Sequence, residues 1–189
     1  DTPLCDRFYT RYTGETLPWE MHGKLAEEEG AILTDLINAR QPGQGQNILL
    51  YGLAGTGKTA FAQSLAAKLG KELYFINQAG SPDRGGRSSG PGFRFAGLEV
   101  ANLRLDPEKV IVCVDECDKM IANTSIGEFL ARMLGVPADR DGEGKGQLNA
   151  VLDCLKLTVL WIANTHRESI DPSSRRRFDY NVYFDSLSP

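Results

Sequence analysis

The residues with the clearest chemical purpose are Gly52-Leu-Ala-Gly-Thr-Gly-Lys-Thr59. They match the phosphate-loop pattern G-x-x-x-x-G-K-[ST] at every fixed position. The glycines at 52, 55 and 57, with Ala54 and Thr56 between them, let the backbone curl so that successive N–H groups face one anion. A helix beginning at the end of this loop adds partial positive charge at the same point. Lys58 is placed to reach the β- and γ-phosphates of a nucleotide, and Thr59 to hold Mg²⁺ through its hydroxyl. The competing reading is a chance match in a glycine-rich turn. An apolar strand before the loop and a helix-forming run after it, roughly 59–69, argue against that reading.

A second group follows the apolar run Val110-Ile-Val-Cys-Val114, which reads as a strand buried on both faces. Asp115 and Glu116 stand at its carboxyl end. Asp115 fits a magnesium anchor, directly or through water, and Glu116 fits the carboxylate that polarises an attacking water. The plainer reading is an acidic pair at a strand end. A third group is Asn164, which ends the apolar run Thr158–Ala163, with His166 as runner-up for the same place. Either could hold the attacking water or sense the γ-phosphate; either could equally cap the next turn. A fourth is Arg175-Arg176-Arg177, a solvated patch on one reading and a source of guanidinium for a phosphate on the other. That phosphate need not belong to the same chain.

These groups need a scaffold, and the chain supplies an alternation of short strands and helices. Residues 1–20 read as an irregular lead-in with a short helical turn. Its aromatics Phe8, Tyr9, Tyr12 and Trp19 serve either an adenine or one another. Residues 24–39 read as an amphipathic helix with Leu25, Ile32, Leu33, Leu36 and Ile37 on its apolar face. Strands are expected at 48–51, 73–76, 110–114, 158–163 and 181–184. Helices are expected after the phosphate loop and at 93–105, 125–134, 148–155 and 169–176. Residues 78–92 and 139–146 read as glycine-rich loops. Five strands alternating with helices give an α/β fold with a largely parallel sheet covered on both faces. Ligands of such sheets lie beyond the carboxyl ends of the strands, where Lys58, Asp115 and Asn164 all fall.

Composition narrows the function classes. The 189 residues carry 21 Lys and Arg against 25 Asp and Glu, a net charge of -4, so the surface does not advertise general nucleic-acid binding. Arg84, Arg87 and Arg94 alternate with glycine and serine in and after the first glycine-rich loop, a local place where a nucleic-acid backbone could be touched. Four cysteines without zinc-site spacing read as buried thiols, which sets a reducing, cytoplasmic location as the expectation. No apolar run approaches membrane-spanning length.

Taken in order, Gly52–Thr59, Val110–Glu116, Asn164 and Ile170-Asp-Pro-Ser-Ser-Arg-Arg-Arg-Phe-Asp179 resemble the AAA+ ATPases. The last stretch looks like the I-D-P-A-L…R-F-D segment of the AAA branch and its bacterial relatives. The resemblance covers roughly residues 20–185. It implies a P-loop three-layer sandwich with a five-stranded parallel sheet in the order 5-1-4-3-2, and assembly into rings, usually hexamers. It implies ATP and Mg²⁺ as ligands and Asp115-Glu116 as the Walker B pair. It also implies Asn164 as the sensor-1 residue and an arginine finger from Arg175–Arg177, Arg176 or Arg177 first. Two features depart from the family pattern. The residues that usually separate the two arginines are missing, and Phe93-Arg-Phe95 replaces the usual aromatic–hydrophobic–glycine pore element. Phe93 is therefore read either as a pore residue or as core. Residues 21–189 are expected to be the large nucleotide-binding subdomain, without the helical lid. The function implied is ATP hydrolysis at a site between subunits, driving work on a macromolecule, protein ahead of nucleic acid. The alternatives are a DNA-transaction ATPase of clamp-loader or initiator type and a scaffold that binds nucleotide without turnover. A metabolic kinase would leave the arginine cluster unexplained.

Overall fold

The computed structural model describes residues 4–78, 91–122, 152, 154–165, 175–176 and 178–185. Its strands are β1 (Tyr9–Arg11), β2 (Gln46–Gly52), β3 (Glu72–Ile76), β4 (Val110–Val114), β5 (Thr158–Ala163) and β6 (Tyr180–Phe184). Its helices are α1 (Gly23–Asn38), α2 (Lys58–Lys68), α3 (Pro91–Arg104) and α4 (Asp118–Ala122). The sheet runs β1-β3-β4-β5-β2-β6. All pairings from β3 to β6 are parallel. Counted from β2, the five parallel strands stand in the order 5-1-4-3-2 that the family resemblance implies.

Strand alternation divides the core into two layers. Leu49, Tyr51, Val110, Val112, Val114, Val159 and Trp161 face one side, where α3 contributes Phe95, Leu98 and Ala101. Ile48, Leu50, Ile111, Cys113, Leu160 and Ile162 face the other, under Leu33 and Ile37 of α1 and Phe61 and Leu65 of α2. Both faces of β2, β4 and β5 are therefore buried, which is why these strands are apolar without a polar alternation.

The lead-in departs from its expected irregularity. Two short 3-10 turns, Leu4–Arg7 and Trp19–His22, flank β1, which adds an antiparallel edge to β3 in the register Tyr9↔Ile76. Three residues with one buried side chain carry too short a pattern to announce a strand. The lead-in aromatics engage the body of the domain. Phe8 stacks on Phe93 at 5.4 Å between ring centroids, Tyr9 meets Tyr74, Tyr12 meets Phe75, and Trp19 lies 5.0 Å from Phe61. Phe93 is thus half-buried packing. The apolar face of α1 is as expected except at one position: Leu33 and Ile37 are buried and Leu25 and Leu36 pack partly against the core, whereas Ile32 is exposed; Ala26 and Gly30 are buried as well. Gly30 is needed because a Cβ there would come within 2.7 Å of the Trp19 ring.

The amino ends of the strands are tied by polar side chains. Arg40 Nη1 donates to the carbonyls of Gln44 and Lys156, and Nη2 donates to that of Pro107 and pairs with Glu108. These are the segments that enter β2, β5 and β4. Buried Asn47 donates to the Leu152 carbonyl at 3.3 Å and accepts from Trp161 Nε1 at 3.0 Å. Its backbone N–H donates to Asp179 Oδ2 at 2.6 Å, while the Asp179 N–H donates to the Asn47 carbonyl at 2.8 Å. The Phe178-Asp179 pair therefore seats β6 beside β2, with Phe178 packed edge-on to Trp161.

The expected helix at 125–134 and the loop at 139–146 lie outside the described residues, as do positions 79–90 and most of 148–155. All four cysteines are free. Cys113 and Cys117 are buried, and burial pushes both thiols well up, so they are inert at neutral pH. Cys154 is exposed, against the expectation of a buried thiol. Among the described residues, no helix is long and apolar enough to cross a membrane.

Candidate functional site

The candidate site forms at the carboxyl ends of β2, β4 and β5. β2 ends at Gly52, whose φ of +150° and close neighbours favour glycine: a Cβ there would lie 2.2 Å from the Phe184 carbonyl oxygen. Gly55 and Gly57 take φ of +80° and +84°, the left-handed region that side chains resist. Gly57 is the N-cap of α2, so Lys58 and Thr59 open a helix whose free N–H groups face the loop. Leu53, Ala54, Gly55 and Gly57 form the exposed crest. Thr56 folds its hydroxyl inward to the Leu53 carbonyl at 2.8 Å.

Lys58 is 3% exposed, and its Nζ is surrounded by loop oxygens. It donates to the Gly52 carbonyl at 3.0 Å, the Leu53 carbonyl at 2.5 Å and Thr56 Oγ1 at 3.2 Å. Burial lowers its pKa, and the carboxylates of Asp115 and Asp118 partly offset that. The ammonium is thus held among neutral acceptors where an anionic oxygen would be a stronger partner.

Asp115 and Thr59 meet. Thr59 Oγ1 donates to Asp115 Oδ2 at 2.8 Å, and the Glu116 N–H donates to Asp115 Oδ1 at 2.7 Å. The hydroxyl and carboxylate supply the hard oxygens that Mg²⁺ takes, and Mg²⁺ needs few protein ligands when phosphate oxygens and water complete its shell. The residues present fit that ion.

Glu116 is a non-glycine residue in the left-handed region, with φ of +50°. Such a backbone costs about 1–3 kcal/mol and survives where the surroundings hold it. Its carboxylate is exposed and accepts from Gln78 Nε2 at 2.9 Å. Behind it, Arg94 Nη1 donates to the Glu116 carbonyl at 3.0 Å and Nη2 to the Asp115 carbonyl. Arg94 is 6% exposed, so it is not the solvent-facing cation that its glycine-rich neighbourhood suggested, and it cannot touch a nucleic-acid backbone. Gln78 is the site residue that the sequence did not single out, and Arg94 is one that it pointed to another role. Gln78 follows a strand, as Lys58, Asp115 and Asn164 follow theirs, and that position was its available signal.

Asn164 ends β5 and is exposed. Beside it, Thr165 donates its hydroxyl to Asp118 at the start of α4, and the Cys117 N–H bonds the Ile162 carbonyl at 2.8 Å. These contacts tie the end of β5 to the Asp115-Glu116 turn. His166 and Arg177 lie outside the described residues. Arg175 is half-buried, with its carbonyl accepting from Asn181 Nδ2 at 3.2 Å, and Arg176 is exposed. Both precede β6 and sit at the amino ends of the strands, near Asn47. Five steps along β2 separate Asn47 from Gly52, or roughly 17 Å at the usual strand rise. The structure thus gathers the phosphate loop, Asp115, Glu116 and Asn164 at one end, with Arg175 and Arg176 at the other.

Comparison with known proteins bears on the family and the fold. The model of the ATPase family associated with various cellular activities (AAA) matches residues 48–186. Lon protease 1 of Sorangium cellulosum is 30% identical over 140 residues, which is 71% of this chain and 17% of the relative. RuvB-like helicase 1 of Schizosaccharomyces pombe is 45% identical over 56 residues, 30% of this chain and 12% of the relative. The chain therefore spans less than a fifth of the length of these curated relatives. Among solved structures, the FIGL-1 AAA domain in complex with ADP superposes with a TM-score of 0.55 at 22% identity, covering 96% of this chain and 59% of that one. A katanin structure, described for its self-assembly, gives 0.51 at 17% identity, covering 96% and 57%. These two likenesses are likenesses of fold.

Proposed function

The chain belongs to the AAA family of ATPases, and from that premise we propose that it binds ATP with Mg²⁺ and hydrolyses it at a site completed by a neighbouring subunit. The observation that carries the reading is the junction of Thr59, Asp115 and Glu116 beside the buried Lys58.

Each residue has a task that its position allows. The N–H groups of residues 55–59 face the phosphates, and the Lys58 ammonium exchanges loop carbonyls for phosphate oxygens as charge builds on them. Thr59 and Asp115 would hold Mg²⁺, which would supply positive charge to offset that of the phosphates. Glu116 takes a proton from water through the carboxylate that Gln78 now contacts. Asn164 orients that water or reports on the terminal phosphate. Arg176 or Arg177 supplies the guanidinium in trans. Its support is that Arg176 is exposed at the far end of its own sheet, too distant to serve its own loop.

The work driven is remodelling of a macromolecule, protein ahead of nucleic acid. With Arg94 buried, the local basic patch that favoured a DNA transaction loses one of its three members. Residues 21–189 act as the large nucleotide-binding subdomain of an oligomeric ring.

One experiment addresses hydrolysis and the shared site together. Glu116→Gln in the full chain should bind ATP normally and lose turnover by at least ~10²-fold. Mixed with Arg176→Ala, itself inactive, it should recover part of the activity by forming sites with one intact copy of each residue. Full turnover by Glu116→Gln alone sinks the hydrolytic assignment. No recovery at any mixing ratio sinks the assignment of Arg176 to a neighbour's site.

A further inference from the structure

Arg94 stands in the first turn of α3, and the chemistry above leaves it without a task. Its two Nη groups donate to the carbonyls of Asp115 and Glu116. Those carbonyls flank residue 116, so a planar fork bonded to both fixes the backbone torsions of Glu116. Those torsions are the unfavourable ones, with φ at +50°. Packing does not account for an arginine here. The guanidinium is buried, its Nε has no hydrogen-bond partner among the described residues, and an apolar chain of similar length would fill the space without that desolvation.

We propose that Arg94 is the positioning residue of Glu116: it clamps the backbone on either side of that residue and so fixes where its carboxylate, bonded to Gln78 in this structure, is presented at the carboxyl end of the sheet. The proposal rests on the reading of Glu116 as the base. It places the control of hydrolysis on α3, an element that contributes no group to the nucleotide itself.

The clamp acts on turnover more than on binding, because Arg94 bonds only the main chain of Asp115, whose carboxylate is held separately by the Thr59 hydroxyl, and Lys58 donates to other groups. In the full chain, Arg94→Met should keep ATP affinity and KM within about threefold while kcat falls by about 10²-fold, the scale of a misplaced catalytic group. Arg94→Lys can reach one carbonyl but cannot fork across both, so it should restore part of kcat. The decisive readout is a double-mutant cycle. If Arg94 acts through Glu116, adding Arg94→Met to Glu116→Gln removes nothing further from the residual single-turnover rate. A general structural role would lower that rate again. The proposal is overturned if Arg94→Met leaves kcat within about twofold, if its effect persists undiminished in the Glu116→Gln background, or if both Arg94 variants fail to fold. A fully active Glu116→Gln chain instead overturns the base reading beneath it. An inactive Glu116→Gln beside a fully active Arg94→Met overturns the clamp alone.

Discussion

Arg40 and Arg94 are two arginines drawn inside the domain, at opposite ends of one sheet, and both donate to backbone carbonyls. Arg40 reaches three carbonyls and a carboxylate, on the segments that lead into β2, β4 and β5. Beside it, the described residue with a positive φ is a glycine, Gly43. Arg94 reaches two carbonyls, leaves Nε without a partner among the described residues, and holds a residue in a left-handed conformation. The same side chain is thus satisfied at the amino end and under strain at the carboxyl end. The contrast extends to their surroundings. Asn47, Asp179 and Trp161 form a closed set of hydrogen bonds, whereas Lys58 is buried among neutral oxygens that suit it less well than an anion. Polar burial at one end holds the strands together, and at the other it prepares for a ligand.

The comparison can be broken by exchanging what each end loses. Lys58→Met should reduce ATP turnover by about 10²–10³-fold, and nucleotide affinity measured directly should fall with it. The nucleotide-free domain should melt at the same temperature or higher, because a desolvated ammonium has been removed. A destabilised Lys58→Met protein with intact affinity would reverse the assignment of the two ends. Arg40→Ala should do the opposite, lowering unfolding free energy by about 2–3 kcal/mol in denaturant titrations and leaving kcat unchanged at temperatures where the variant is folded. A loss of kcat without a loss of stability would place Arg40 with the ligand-facing group.

The smallest effect lies on the α2 flank. His22 bonds Ser64 at 2.9 Å, and burial lowers its pKa below the usual 6.5. Above pH 6.5 both folded and unfolded chains hold it neutral, and its contribution is full. As pH falls from 6.5 toward the folded value, the unfolded chain takes up the proton first, so stability declines. Melting curves between about pH 8 and about pH 5 should therefore fall less steeply for His22→Gln than for the parent. Equal slopes would show that His22 does not titrate differently on folding.

What could be read in the sequence was local. The phosphate loop carries its own glycine spacing, and the apolar runs of β2, β4 and β5 announce strands buried on both faces. β1 was not legible, because a three-residue edge strand shows no period, and its pairing with β3 depends on residues more than sixty positions away. The buried role of Arg94 and that of Arg40 were not legible for the same reason. The partners of Arg94 lie 21 and 22 residues away, and one partner of Arg40 lies 116 away. Nothing near either arginine distinguishes it from an exposed cation. Arg94 even stands beside a loop that favours the solvent-exposed reading. The face of α1 was overestimated at Ile32, which is exposed although its neighbour Leu33 is buried.

The close contact of Gly52 with Phe184 bears on how the domain is made. β2 lies between β5 and β6, and both arrive more than a hundred residues after it. A chain emerging from the ribosome therefore carries its phosphate loop long before either flanking strand exists to fix it. Among the described residues, the loop's first glycine meets its neighbouring carbonyl only once residue 184 has been added. The seat of the loop's first glycine is then completed late in synthesis, when β6 joins β2.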